Sequence, residues 1–243
     1  MCTVTFIPSN NKIFLAHNRD EQSSRAIALA PALYSINGHQ LIFPKDSAAG
    51  GTWAAVNDNG AAAVLLNGAF TAHLHQPPYR KSRGLAFLDF MAEADAFAAY
   101  EATNLSGIEP FTVIIWSNEV LYECRWDGSH KTITRPAAGI AHTWSSVTLY
   151  NDAVLAKRQW WFNDWHQQHP DPTLEEIIQY HLSGGDGDIC NDLRMNRAGK
   201  LLTVSITAIE ICDWKSTMHY LDLQSATRAR QEFNFAKAVA IPQ

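Results

Sequence analysis

Cys2-Thr3-Val4-Thr5-Phe6-Ile7-Pro8-Ser9-Asn10-Asn11-Lys12-Ile13-Phe14-Leu15-Ala16-His17-Asn18-Arg19-Asp20-Glu21, directly after Met1, decides how the chain begins to fold. Thr3 to Ile7 and Lys12 to His17 are rich in β-branched and aromatic residues, which suit a pleated, half-buried surface. Between them Pro8-Ser9-Asn10-Asn11 is a cluster of turn formers, proline presetting φ and asparagine tolerating the left-handed region. The stretch therefore reads as an antiparallel hairpin. Its second strand folds back, so its far end, His17-Asn18-Arg19-Asp20-Glu21, comes to lie beside residue 2. Strand residues two apart share a face, so His17 and Arg19 point one way and Asn18 and Asp20 the other.

Beyond the hairpin, Gln40 to Phe43, Thr52 to Val56 and Ala61 to Leu66 continue the strand pattern, the last two separated by the turn Asn57-Asp58-Asn59-Gly60. On this reading the first eighty residues form mostly one antiparallel sheet. Between Ser82 and Ala102 the period changes to that of a helix, with Phe87, Met91, Ala94 and Ala98 on one face. Phe111 to Trp116 and Val120 to Trp126 read as a second hairpin, followed by a short strand near Ile140 to Trp144. Asp152 to His166 reads as a helix. Another starts after Pro172, where Thr173 and Glu176 have capping-box spacing. Ser183 to Asp188 reads as a loop, and Leu201 to Cys212 and Thr217 to Leu223 as closing strands. Hairpins at both ends with helices between them fit α+β better than alternating βαβ units. The expected architecture is a four-layer αββα sandwich of two antiparallel sheets, in one domain spanning residues 1–243.

A formal charge of -5, with no run of basic residues, gives no electrostatic footprint for nucleic acid or an anionic membrane. Residues 1–16 lack the pattern of a secretory signal and no apolar run reaches membrane-spanning length, so a cytoplasmic protein is expected, without membrane insertion. Cys2, Cys124, Cys190 and Cys212 show no paired spacing. His73-x-His75 on a Pro-flanked loop lacks a third ligand, and no nucleotide, EF-hand or zinc-protease motif occurs, so neither metal nor cofactor is expected.

Cys2 stands apart because of its place. Removal of Met1 would leave its α-amine free, with a pKa of roughly 7.7–8.0, to accept the proton of its own thiol. One residue would then supply nucleophile and base. Asp20 is positioned to grip the α-ammonium, and Arg19 to lower the thiol pKa.

Met1-Cys2-Thr3, followed at this distance by Asn18-Arg19-Asp20-Glu21, resembles the NRDE family, also called transport and Golgi organisation protein 2-like. The likeness extends to Gly50-Gly51-Thr52-Trp53, to Asn57-Asp58-Asn59-Gly60 leading into Leu66-Asn67, and to Ser82-Arg83-Gly84. More distantly the arrangement is similar to penicillin V acylases and bile-salt hydrolases. The resemblance implies an N-terminal-nucleophile hydrolase fold with Cys2 as nucleophile, Asp20 as the carboxylate near the α-amine and Asn67 as an oxyanion donor. Arg19 joins this catalytic set, and His17, Asn18 and Trp53 are expected to contact substrate. His142-Thr143-Trp144-Ser145-Ser146 departs from the family's Leu-Ser-Asn stretch, so a second oxyanion asparagine is not assigned. The arginine of the acylases lies three residues before the aspartate, where this chain has His17. The expected function is hydrolysis of a linear, non-peptide amide in a small molecule. The alternative implied by the resemblance is a non-catalytic carrier or chaperone of haem, or of lipid or acyl-CoA, with Cys2 or His17 as a candidate iron ligand.

Overall fold

The fold, taken from a computed structural model, is described for residues 2–235. In chain order its first strands are β1 (Cys2–Ser9), β2 (Lys12–Gln22), β3 (Leu29–Ile36), β4 (His39–Lys45), β5 (Ala54–Asn57) and β6 (Ala62–Asn67). The helices α1 (Arg83–Met91) and α2 (Ala96–Ala102) follow, then β7 (Phe111–Ser117), β8 (Val120–Trp126), β9 (Lys131–Thr134) and β10 (His142–Ser145). Next come α3 (Asp152–Gln168) and α4 (Leu174–Ser183), and the chain closes with β11 (Asn196–Arg197), β12 (Leu201–Cys212), β13 (Lys215–Asp222) and β14 (Thr227–Asn234).

The strands form two antiparallel sheets. One runs β10-β1-β2-β12-β13-β14, with β11 paired to β12; the other runs from β3 to β9 in sequence order. This corrects the expectation of a single sheet over the first eighty residues. The opening hairpin pairs with the C-terminal β12, while β3 to β6 begin the second sheet. The reason lies in β2, buried on both faces from Ile13 to Asp20. Such a strand must be covered on both sides, and its direct neighbours in sequence cannot do this while pairing edge to edge.

Alternation along the hairpin sorts the two covers. Val4, Phe6, Ile13 and Leu15 enter the core between the sheets, whereas Ile7, Phe14 and Ala16 pack with Phe162, Ile177 and Ile178 of α3 and α4. On the far side α1 and α2 rest on β5, β6 and β7. The layers are thus α3/α4, sheet, sheet, α1/α2, the αββα order expected from the sequence.

The helical stretch after Ser82 is broken in two. Asp95 accepts hydrogen bonds from the backbone of Phe97 and Ala98 and starts a second helix, where periodicity alone suggested one. The capping box of Thr173 and Glu176 is present at the start of α4. No helix among the described residues is long and apolar enough to cross a membrane.

Candidate active site

The hairpin register sets Cys2 opposite Arg19 at the end of the first sheet. Cys2 is buried at the base of a cleft of about 390 Å³ opening between the ends of the two sheets, a size suited to a small molecule. Burial pushes its thiol pKa up, and the charge of the Asp20 carboxylate adds to this, while the backbone N–H of Asp20 donates to the sulfur and pulls the other way.

Arg19 also lines the cleft, but its charge is committed. Its guanidinium bonds Asp46 at 2.7 Å and lies 4.3 Å above the Trp53 ring. Arg25 holds the same carboxylate at 3.0 Å. Burial alone would raise the Asp46 pKa, but the Ala49 amide and the two guanidiniums outweigh it and hold the carboxyl below its usual range. With Glu21 also 3.6 Å from its guanidinium, Arg19 serves as a paired wall of the cleft rather than as a free charge for the thiol. Trp53 is fixed from behind by its Nε1–H, which donates to Thr207 Oγ1 of the opposite sheet at 3.1 Å.

Two of the glycine motifs meet in space. A Cβ at Gly51 would lie 2.6 Å from the backbone carbon of Gly84, and one at Gly84 would lie 2.7 Å from the Thr52 carbonyl oxygen. This contact presses the start of α1 against the 46–53 loop and turns Arg83 into the cleft. Arg83 is paired with Glu109 at 3.2 Å, and Glu109 also takes His73 and His75, each at 3.1 Å. Burial lowers the Arg83 pKa against the pull of Glu109 and Cys2.

Asn67 closes β6 and lines the cleft beside Cys2. Ser146 ties the two together: its N–H donates to the Cys2 carbonyl at 2.9 Å and its hydroxyl to the Asn67 carbonyl at 2.6 Å.

The other expected residues face elsewhere. Asn18 points to the helix layer, donating to the carbonyls of His181 and Leu193 and accepting from His181 Nδ1 at 2.6 Å. It does not reach the cleft, contrary to the expectation of substrate contact, because alternation along β2 sends it to the face opposite Arg19. His17 lies on the Arg19 side but is fully buried below the cleft, its Nε2–H donating to the Leu65 carbonyl at 3.0 Å. Burial drops its pKa to about 3, and no imidazole nitrogen is presented to a substrate or to haem iron.

Asp20 is fully buried behind Cys2 on the helix-facing side. It accepts from Thr203 Oγ1 at 2.7 Å and from the Tyr150 hydroxyl at 3.0 Å. A β-bulge in β12 between Thr203 and Ser205 falls opposite Asp20 and Arg19, and re-aims Thr203 onto the carboxylate. Burial raises the Asp20 pKa, opposed most strongly by the guanidinium of Arg158.

Residues 1–181 match the family model described as Transport and Golgi organisation 2. The chain belongs to this family. No curated protein sequence is a significant match. Among solved structures, the Transport and Golgi organisation 2 chain is similar to a Caenorhabditis elegans N-acylethanolamine-hydrolyzing acid amidase ortholog. The TM-score is 0.59 at 12% identity, over 86% of this chain and 92% of that one. An arginine-to-leucine variant of the conjugated bile acid hydrolase from Clostridium perfringens matches with a TM-score of 0.56 at 10% identity, over 99% of each chain. A cysteine-to-alanine mutant of the same hydrolase gives 0.54 at 9% identity, over 100% of this chain and 99% of that one. The fold is that of the N-terminal-nucleophile hydrolases.

Of the residues now seen around Cys2, the sequence reading missed Asp46, Ser146, Tyr150, Arg158 and Thr203. Each is brought in from a distant element, and hydrophobic periodicity does not mark it. Ser146 fell within the 142–146 stretch without a role, and Arg83, which also lines the cleft, stood at the centre of Ser82-Arg83-Gly84.

Proposed function

We propose that this protein is a cysteine N-terminal-nucleophile amidohydrolase acting on a linear, non-peptide amide of a small molecule. The observation that carries this reading is the placement of Cys2, the second residue of the chain, at the base of a cleft also lined by Asn67. In the proposed reaction Met1 is first removed. The Cys2 α-amine takes the thiol proton, and the sulfur attacks the amide carbonyl to form a C–S bond. Asn67 donates its side-chain N–H to the developing oxyanion. The C–N bond then breaks, the proton passes to the leaving amine, and water attacks the thioester to release the acid and restore the thiol. Asp20 holds the α-amine in place from behind, and Arg19 and Trp53 form the wall against which the substrate lies. Relatives in fold that act on N-acylethanolamines and conjugated bile acids support the reaction class.

The test uses protein with Cys2 as its first residue, treated with an electrophilic amide or β-lactam probe. We expect a covalent adduct at Cys2, with Cys124, Cys190 and Cys212 reacting slowly, and no adduct in Cys2→Ala. Asn67→Ala should keep the thiol but slow acylation by about 10²–10³-fold. A version with residues appended before Cys2 keeps the thiol but has no amine base, so its labelling should collapse. Equal labelling of the extended and processed proteins would reduce Cys2 to an accessible thiol in a binding cleft.

A further inference from the structure

Arg158 lies in the middle of α3, more than 130 residues from the catalytic hairpin in sequence, yet it is only 1% exposed. A guanidinium keeps its charge in proteins, so a buried one needs both hydrogen-bond acceptors and a compensating negative charge. The acceptors are neutral: the carbonyls of Asn191 at 3.0–3.1 Å and Asp192 at 2.7 Å, and the Thr3 hydroxyl. The buried carboxylate of the same region is Asp20. Between the two stands Tyr150, whose ring lies 3.7 Å below the Arg158 guanidinium and whose hydroxyl donates to Asp20. Arg197 sits 5.5 Å from the same ring. A cation on the ring face withdraws electron density from the phenol and strengthens its O–H as a donor.

We infer that Arg158 is a positioning residue for the nucleophile, holding Asp20 as a carboxylate behind Cys2 through Tyr150 and bracing the adjacent residue Thr3 directly. This rests on the proposed amidohydrolase reading, in which Asp20 must be charged to grip the α-ammonium of Cys2. Among the described residues, the groups facing Asp20 are Cys2 on β1, Thr203 on β12, Tyr150 ahead of α3 and Arg158 on α3, together with His17 further along β2, which burial keeps neutral near pH 7. Arg197 on β11 lies one ring further away. From α4 comes His181, whose pKa burial drops to about 3, so it is neutral near pH 7 and adds no positive charge. Tyr150 is itself pushed well above its ordinary pKa by burial and by Asp20, so it remains a protonated donor. Arg158 thus supplies the positive charge from the helix layer, from a position no motif spacing indicates.

The test compares Arg158→Met, Arg158→Lys and Tyr150→Phe in protein beginning at Cys2. One readout is the carboxyl titration of Asp20 by carbon-13 NMR. A second is the pH profile of Cys2 alkylation by iodoacetamide. Removing the charge in Arg158→Met should raise the Asp20 midpoint by at least one pH unit and displace the pH profile of Cys2 alkylation, whereas Arg158→Lys should restore most of both. Tyr150→Phe keeps the stacked ring but loses the hydroxyl, and should shift Asp20 in the same direction by a smaller amount. If Arg158→Met does not fold, Tyr150→Phe still decides the question. An Asp20 midpoint that stays at the wild-type value in every folded charge-removing or hydroxyl-removing variant overturns the inference. The NMR readout does not depend on amide turnover, so failure of the amidohydrolase reading would appear separately, as an absent acyl adduct with Asp20 still responding to Arg158.

Discussion

Arg19 stands across the hairpin from Cys2, yet its guanidinium is shared between Asp46 and the face of Trp53. Its side chain is 8% exposed and that of Asp46 11%, so losing one partner leaves the other largely out of water. Breaking a buried pair by removing one member costs about 3–5 kcal/mol, and Arg25 remains to offset part of this, so Arg19→Ala should cost about 2–3 kcal/mol. Arg25 is 37% exposed, and its replacement by alanine should cost under about 1 kcal/mol. Urea denaturation of both variants decides this, and equal midpoints would mean that Arg19 does not anchor the cleft wall. At this scale the sequence was legible where chemistry follows from adjacency. The register placing Cys2 by Arg19 and Asp20 follows from the Asn10-Asn11 turn, and the opposite facing of Asn18 and Arg19 from strand alternation. What alternation could not say was which face meets the cleft, because that depends on where the second sheet lies. Asn18 was accordingly expected at the substrate and is found bonded to His181. Arg158 and Tyr150 reach Asp20 from an element whose packing no local pattern fixes.

Elements carry the cleft through close approach. The start of α1 touches the 46–53 loop with backbone against backbone at Gly51 and Gly84, and neither neighbour is a flexible side chain that could swing away. Gly51→Ala should therefore force the two segments apart, costing about 1–3 kcal/mol of overpacking strain. The same shift moves Arg83, so labelling of Cys2 by a bulky amide probe should change as well. Gly139 meets nothing within 4 Å, and Gly139→Ala should stay within about 0.5 kcal/mol. Thermal melting of the two variants provides the comparison, and matching Tm values would refute a tight contact. Element existence was readable wherever periodicity was strong, as in the opening hairpin, β7 with β8, and β12. The strands β3, β9 and β14 escaped because they lie at or near sheet margins, partly exposed, without a clean alternation of apolar residues. The break between α1 and α2 escaped because an internal Asp95 cap competes with an apolar stripe that continues through it.

The whole molecule places two neutral imidazoles where water cannot reach them, and this sets its response to acid. His17 and His181 are both 0% exposed, and burial lowers the pKa of each to about 3. The Leu65 carbonyl accepts from His17 Nε2–H. Asn18 Oδ1 accepts from His181 Nδ1–H, whose Nε2 takes the Thr5 hydroxyl proton. Neither ring can gain a proton without losing a partner or leaving a buried charge. In the unfolded chain both titrate near about 6.5. Below that pH the unfolded state binds more protons than the folded state, so stability falls as pH drops from about 6.5 towards 3, by roughly 1.4 kcal/mol per pH unit for each histidine. Asp46 and Glu109, whose folded pKa values are held down despite burial, add to the loss below about pH 4, their unfolded range. Asp20 works in the opposite sense. Its raised folded pKa means that taking up a proton relieves a buried charge, so it offsets part of the slope. The expected outcome is a loss of at least about 2 kcal/mol between pH 7 and pH 5, read from urea midpoints at constant ionic strength. His181→Gln can still pair with Asn18 and Thr5 but cannot titrate, so it should flatten the slope by about half. The account fails if the wild-type midpoint is the same at pH 7 and pH 5, or if His181→Gln leaves the slope unchanged.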